Sequence, residues 1–145
     1  LEELADGTFQ EVIPDTILKD PKKVETVALC SGKVYYELLE EREKMKSERT
    51  ALVRVEQIYP NPMKQIAAII KSDPDVKHIV WCQEEPKNMG SWGHIYFRLQ
   101  EMIESEGFKV KLKYVGRPER SSPATGSVYR HKVEQAQIVS DCLKV

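Results

Sequence analysis

Cys30-Ser31-Gly32-Lys33 places a thiol, a hydroxyl and an ammonium group side by side where the apolar run Thr26-Val27-Ala28-Leu29-Cys30 gives way to helical spacing. At such a junction the free N–H groups and positive dipole end of a helix attract anions and lower a thiol's pKa. The stretch lacks the GxxxxGK[ST] spacing of a phosphate loop, however, and His78, His94 and His131 stand in no recognised pattern with Cys30 that would supply a base. Cys30 therefore reads as a small core residue closing a strand, and Ser31 as a helix cap rather than a nucleophile. The three histidines and three cysteines show no CxxC, HExxH or similar spacing, so the sequence offers no zinc site. There is no GxGxxG, and Gly90 and Gly93 read as turn and packing glycines.

A denser polar stretch is Trp81-Cys82-Gln83-Glu84-Glu85-Pro86-Lys87-Asn88-Met89-Gly90-Ser91-Trp92. Its apolar lead-in, His78 to Cys82, has the pattern of a strand covered on both faces, and from Ile95 the spacing turns helical. The polar residues thus fall at the carboxyl end of a buried strand, the end that faces ligands or partners in open α/β sheets. If the strands are parallel, Ser31 and Lys33, Glu56, Gln83, Glu84 and Glu85, and Arg117 and Arg120 all fall along one edge of the sheet with balanced charge. Such an edge suits an interface or an anionic effector, with Arg117 expected to pair across a domain boundary. Internal salt bridging of Glu84 and Glu85, and plain solvation of Arg117 and Arg120, are the competing structural roles.

The elements that must position these residues follow from periodicity. Thr8 to Ile13 suggests a short strand ended by Pro14, followed by a turn-rich connection through Asp20-Pro21-Lys22-Lys23. Thr26 to Cys30 is a buried strand; then Val34, Tyr35, Leu38, Leu39 and the Arg42 stem share one helical face, with Glu40, Glu41, Glu43, Lys44 and Lys46 on the solvated one. Ala51 to Val55 is the next strand. Pro62 suits the first turn of a helix striped by Met63, Ile66, Ala67 and Ile70 and stopped at Asp73-Pro74. Ile95, Leu99, Met102 and Ile103 stripe a further helix ending at Gly107. Phe108, Val110, Leu112 and Tyr114 alternate with Lys109, Lys111 and Lys113, the pattern of an edge strand whose lysines discourage pairing with another sheet. Gly116 to Ser127 reads as an irregular crossing, and Val133, Ala136, Val139, Cys142 and Leu143 mark a terminal amphipathic helix. Strands alternating with helices imply right-handed βαβ units in a three-layer α/β/α sandwich around a mostly parallel sheet.

A chain of 145 residues with 41% apolar content supports one domain with a real core. Residues 1–24 read as an edge strand and connection, and residues 25–145 as the α/β domain proper. The net charge of −1, with both signs interspersed, argues against nucleic-acid or membrane-surface partners, and no apolar run reaches the ~20 residues of a bilayer span. Cys30, Cys82 and Cys142, odd in number and widely spaced, read as buried reduced thiols. Leu1-Glu2-Glu3-Leu4-Ala5-Asp6 shows no signal or transit pattern and reads like the middle of a longer protein.

Three blocks in order, Cys30-Ser31-Gly32-Lys33-Val34-Tyr35-Tyr36, the stretch Trp81 to Trp92, and Gly116-Arg117-Pro118 followed by Ser122-Pro123-Ala124-Thr125-Gly126, resemble the carboxyl-terminal domain of the E1 component of 2-oxoglutarate dehydrogenase. The E1 component of 2-oxoadipate dehydrogenase is a near relative with much of the same pattern. The resemblance covers nearly the whole chain, most weakly its first twenty or so residues and the helix around Ile95 to Gly107. It implies a transketolase carboxyl-terminal-domain fold, a five-stranded sheet with one antiparallel edge strand, for which the first strand is the candidate. It further implies a thiamine-diphosphate- and Mg2+-dependent oxidative decarboxylation of a 2-oxo acid in the tricarboxylic acid cycle, with the cofactor held by preceding domains and this domain non-catalytic. The implied partners are those preceding E1 domains, a second E1 subunit, the E2 succinyltransferase and E3, with an acyl-CoA or nucleotide effector nearby. The implied compartment is bacterial cytoplasm or mitochondrial matrix. The rival reading is a free-standing regulatory module that binds a small anionic ligand at the sheet edge.

Overall fold

The computed structural model describes residues 7–18, 20 and 23–145; Leu1 to Asp6 and, in the expected turn-rich connection, Pro21 and Lys22 lie outside the described residues. In chain order the elements are β1 (Val12–Ile13), β2 (Thr26–Cys30), α1 (Val34–Met45), β3 (Thr50–Val55), α2 (Met63–Ser72), β4 (His78–Pro86), α3 (Trp92–Glu106), β5 (Lys111–Arg117) and α4 (Val128–Leu143). The strands form one sheet in the order β1-β3-β2-β4-β5. β2 pairs in parallel with β3 and β4, β5 in parallel with β4, and β1 antiparallel with β3, Val12 lying opposite Val55. This is the expected α/β sandwich, with β1 as the antiparallel edge.

Side chains alternate across a strand, so β2 feeds two cores at once. Val27 and Leu29 join Val53, Val55, Ile79 and Trp81 beneath α2 and α3, which contribute Ile66, Ala67, Ile70, Ile95, Leu99, Met102 and Ile103. Ala28 and Cys30 face the other way, onto Val34 and Leu38 of α1 and Ile138, Val139, Cys142 and Leu143 of α4. Gly107 ends α3 in the left-handed conformation, where its φ of 69° carries no Cβ penalty.

Several sequence expectations are corrected. β1 is confined to Val12 and Ile13 rather than beginning at Thr8, because Pro14 follows at once and only those two residues meet β3. α1 begins at Val34 with Lys33 as its cap and no side-chain cap bond, so Ser31 does not cap it. Phe108 and Val110 pack on the core but precede β5, which starts at Lys111 and runs on through Gly116 to Arg117. In α4, Val133 and Ala136 are exposed; the buried face instead passes through Gln135, Ile138 and Val139.

Arg42 departs furthest from expectation, since its head is buried as well as its stem. Its guanidinium pairs with Asp15, both side chains being only 4% exposed, and donates to the Thr50 carbonyl at 3.0 Å. The Asp15 carboxylate also accepts from the Leu52 N–H at 2.8 Å and the Ile17 N–H at 3.1 Å. Burial alone would raise the Asp15 pKa, but the hydrogen bond and charge of Arg42 together with these N–H donors hold it below its ordinary value. The segment following β1 is thereby bolted to α1 and β3.

Candidate functional site

The polar residues after β4 belong to the strand rather than to a loop. β4 stays paired with β5 as far as Pro86, with an irregularity between Cys82 and Pro86, so Gln83, Glu84 and Glu85 lie on strand backbone. Gln83 is buried and shapes the turn. Its Oε1 accepts from the Trp81 indole N–H at 2.9 Å and the Trp92 backbone N–H at 3.0 Å, while its Nε2 donates to the carbonyls of Met89 at 2.8 Å and Pro86 at 3.2 Å. One amide thus spans the whole turn from strand to helix. Gly90 completes it, with φ of 64° and the Gln83 amide so close that a Cβ would lie 2.9 Å from Nε2.

Arg117 closes β5 and is 6% exposed. Its Nε donates to Glu134 Oε2 at 3.0 Å, its Nη2 to Gln135 Oε1 at 3.2 Å and to His131 Nδ1 at 3.1 Å, and its Nη1 to the Glu84 carbonyl. The guanidinium leaves Nδ1 only the acceptor's role, which puts the His131 ring proton on Nε2. Among the described residues the partners of Arg117 are therefore Glu84, Glu134, Gln135 and His131 of the same chain. Arg120 grips Glu134 in a fork, at 2.6 and 3.0 Å, and Arg130 donates to the same carboxylate at 2.9 Å. Chiefly through Arg120, then Arg130 and Arg117, the Glu134 pKa is drawn down to about 2. Three guanidinium groups thus meet on one carboxylate, a local excess of positive charge around Glu134.

The remaining edge residues divide by strand. Lys33 reaches across from the start of α1 to Glu84 at 3.3 Å and also pairs with Glu37. Asn88 exchanges two hydrogen bonds with the backbone of Arg120, at 2.8 and 3.1 Å, and so ties the turn after β4 to the crossing after β5. Lys33, Gln83, Glu84, Arg117 and Arg120 are thus brought into one connected corner. Glu56 stands apart beyond β3, paired with Arg54 at 2.9 Å, whose guanidinium lies over the Tyr35 ring. Ser31 makes no side-chain hydrogen bond among the described residues, and Glu85 is exposed without a charged partner among them. Glu134 and Asn88, which organise the corner, escaped sequence reading: one is a charged helix position like its neighbours, and the other acts only because β4 and β5 are adjacent.

This corner is built for holding rather than reacting. Burial and the adjoining Cys82 raise the Cys30 pKa far above that of a reactive thiol, and Cys82 is raised by its contact with Cys142 and by burial. Among the described residues no three of His, Cys, Asp and Glu converge to hold a metal ion. The edge carboxylates Glu56, Glu84 and Glu134 are already committed to cations. They do not fit a Mg2+–diphosphate group.

Strand order, parallel pairing and an antiparallel edge strand define an α/β fold that a transketolase shares. A split-gene transketolase, solved as an inactive beta4 tetramer, superposes with a TM-score of 0.62 at 16% identity, over 96% of this chain and 43% of that one. The chain belongs to the 2-oxoglutarate dehydrogenase C-terminal family, whose model matches residues 1–143. Its relatives include the 2-oxoglutarate dehydrogenase E1 components of Azotobacter vinelandii, 40% identical over 100% of this chain and 15% of that protein, and of Haemophilus influenzae, 43% identical over 99% and 15%. An oxoglutarate dehydrogenase of Buchnera aphidicola is 41% identical over 100% of this chain and 16% of that one. The chain therefore spans about 15% of the length of these relatives. Among the described residues, no helix is long and apolar enough to cross a membrane.

Proposed function

We propose that this chain is the carboxyl-terminal structural domain of a thiamine-diphosphate-dependent 2-oxoglutarate dehydrogenase E1, acting in the tricarboxylic acid cycle. The observation that carries this reading is the match of the whole chain, at about 40% identity, to E1 components, together with its match over residues 1–143 to the 2-oxoglutarate dehydrogenase C-terminal family. In the complete enzyme the cofactor and its Mg2+, held by preceding domains, supply the decarboxylation chemistry. This domain braces those domains and completes the E1 homodimer, which passes succinyl to E2 and works with E3, in bacterial cytoplasm or mitochondrial matrix. The connected corner of Lys33, Gln83, Glu84, Arg117 and Arg120 supports a bracing role, because its groups fix one another's positions and leave none free for proton transfer. The positive excess around Arg120 and Arg130 favours an anionic acyl-CoA or nucleotide effector over a cationic one.

The complete polypeptide tests this reading. It should decarboxylate 2-oxoglutarate in preference to 2-oxoadipate, only with thiamine diphosphate and Mg2+, and should lose both activity and dimer when residues 7–145 are deleted. The 145-residue chain alone should show no saturable heat of binding for the cofactor with Mg2+. Micromolar binding by this chain would overturn its assignment as a non-catalytic domain.

A further inference from the structure

Beyond the carboxyl end of β3 the chain presents Tyr59, 78% exposed, within Tyr59-Pro60-Asn61-Pro62, and α3 presents Phe97, 67% exposed. His94, one helical turn before Phe97, joins them: its ring lies 6.1 Å from that of Tyr59, edge to face. A loop that offers a tyrosine to water is ordinarily free to move, but this one is braced. Gln57 Nε2 donates to the Pro60 carbonyl at 2.9 Å, and Asn61 Nδ2 lies 2.6 Å from the Ile58 carbonyl and 3.2 Å from His94 Nε2. Two prolines restrict φ on either side of Asn61. The outer face of α4 also exposes Val128, Tyr129 and Val133.

We propose that this rigid aromatic shelf, Tyr59, His94 and Phe97, is the docking surface for the upstream portion of the same E1 polypeptide. The inference rests on the reading that the chain is the end of a longer E1, and it names the surface through which the bracing is done. Preorganised, protruding aromatic side chains are what anchors an interface at least entropic cost, and left in water they gain nothing. The occupant follows from length: the relatives carry about 85% of their sequence outside the part that this chain matches, and a brace must touch that part.

Hydroxyl-radical footprinting of the complete polypeptide and of the 145-residue chain provides the first test. Oxidation of Tyr59 and Phe97 should fall severalfold in the complete polypeptide. Benzoylphenylalanine placed at Tyr59 of the complete polypeptide should, on illumination, cross-link to upstream residues in a product of monomer mass. Equal oxidation in the two samples would overturn the proposal, as would a cross-linked product of dimer mass, which would make a second copy the occupant. A complete polypeptide that turns over 2-oxoglutarate while Tyr59 and Phe97 stay reactive overturns the shelf and leaves the E1 reading standing. One that is protected at the shelf but inactive toward 2-oxoglutarate does the reverse.

Discussion

Arg117 shows that a residue's place along the chain does not reveal its partners. Sequence placed it in the crossing just after β5 rather than on the strand, and its partners Glu134 and Gln135 come from a helix whose rotation no local pattern reveals. Arg117→Ala should lower the stability of the 145-residue chain by about 1–3 kcal/mol, because the Glu84 carbonyl and Gln135 lose their buried donor. Urea denaturation of the chain alone is the check, and an unchanged midpoint would return Arg117 to the interface. Glu134 gives the pH dependence. Its folded pKa, about 2, lies below the ordinary 4.5, so the stability it confers is complete above that ordinary value and is lost as pH falls toward 2. A urea midpoint followed over that range should fall less steeply in Glu134→Gln than in the parent chain. Cys30→Ser buries a hydroxyl in place of a thiol and should cost about 1–3 kcal/mol while leaving turnover of the complete enzyme unchanged. Lost turnover in a fully folded variant would give the thiol a chemical role.

At the scale of elements, periodicity located every strand and helix, because both cores are built from residues whose spacing alternates or recurs by turns. It failed at the ends. β4 runs past the apolar residues because β5 continues to hydrogen-bond it, and α4 exposes Val133 and Ala136 because its buried face runs through Gln135, Ile138, Val139 and Cys142. The join of β4 to β5 is closely packed at Gly116. A Cβ on Gly116 would lie 2.8 Å from the Gln83 carbonyl and closer still to the Tyr114 hydroxyl, which itself donates to the Arg117 carbonyl at 2.9 Å. Gly116→Ala should therefore cost about 1–3 kcal/mol and loosen the end of β5 in particular. Faster amide exchange at Arg117 and Lys87, whose N–H donates to the Arg117 carbonyl at 3.0 Å, would show it.

The molecule as a whole was legible where resemblance and physics overlapped: three sequence blocks named the family, and the alternation of strands and helices gave its architecture. The aromatic shelf was not legible, since an exposed Tyr59 and a buried one are spelled alike and only the packing of α3 beside the loop distinguishes them. Nor was the bolt between Asp15 and Arg42, residues far apart in sequence that meet only once β3 is in place. Removing one partner of so enclosed a pair leaves the other charge stranded, so Asp15→Ala should cost about 3–5 kcal/mol. The timing of that loss is informative too. β2 to β5 form the parallel body of the sheet, whereas β1 has only two residues to pair and can latch only onto a finished β3 and α1. The latch should therefore close after the rate-limiting step of folding. In stopped-flow measurements Asp15→Ala should refold at nearly the parental rate and unfold much faster, making this one carboxylate chiefly a determinant of how long the native state survives.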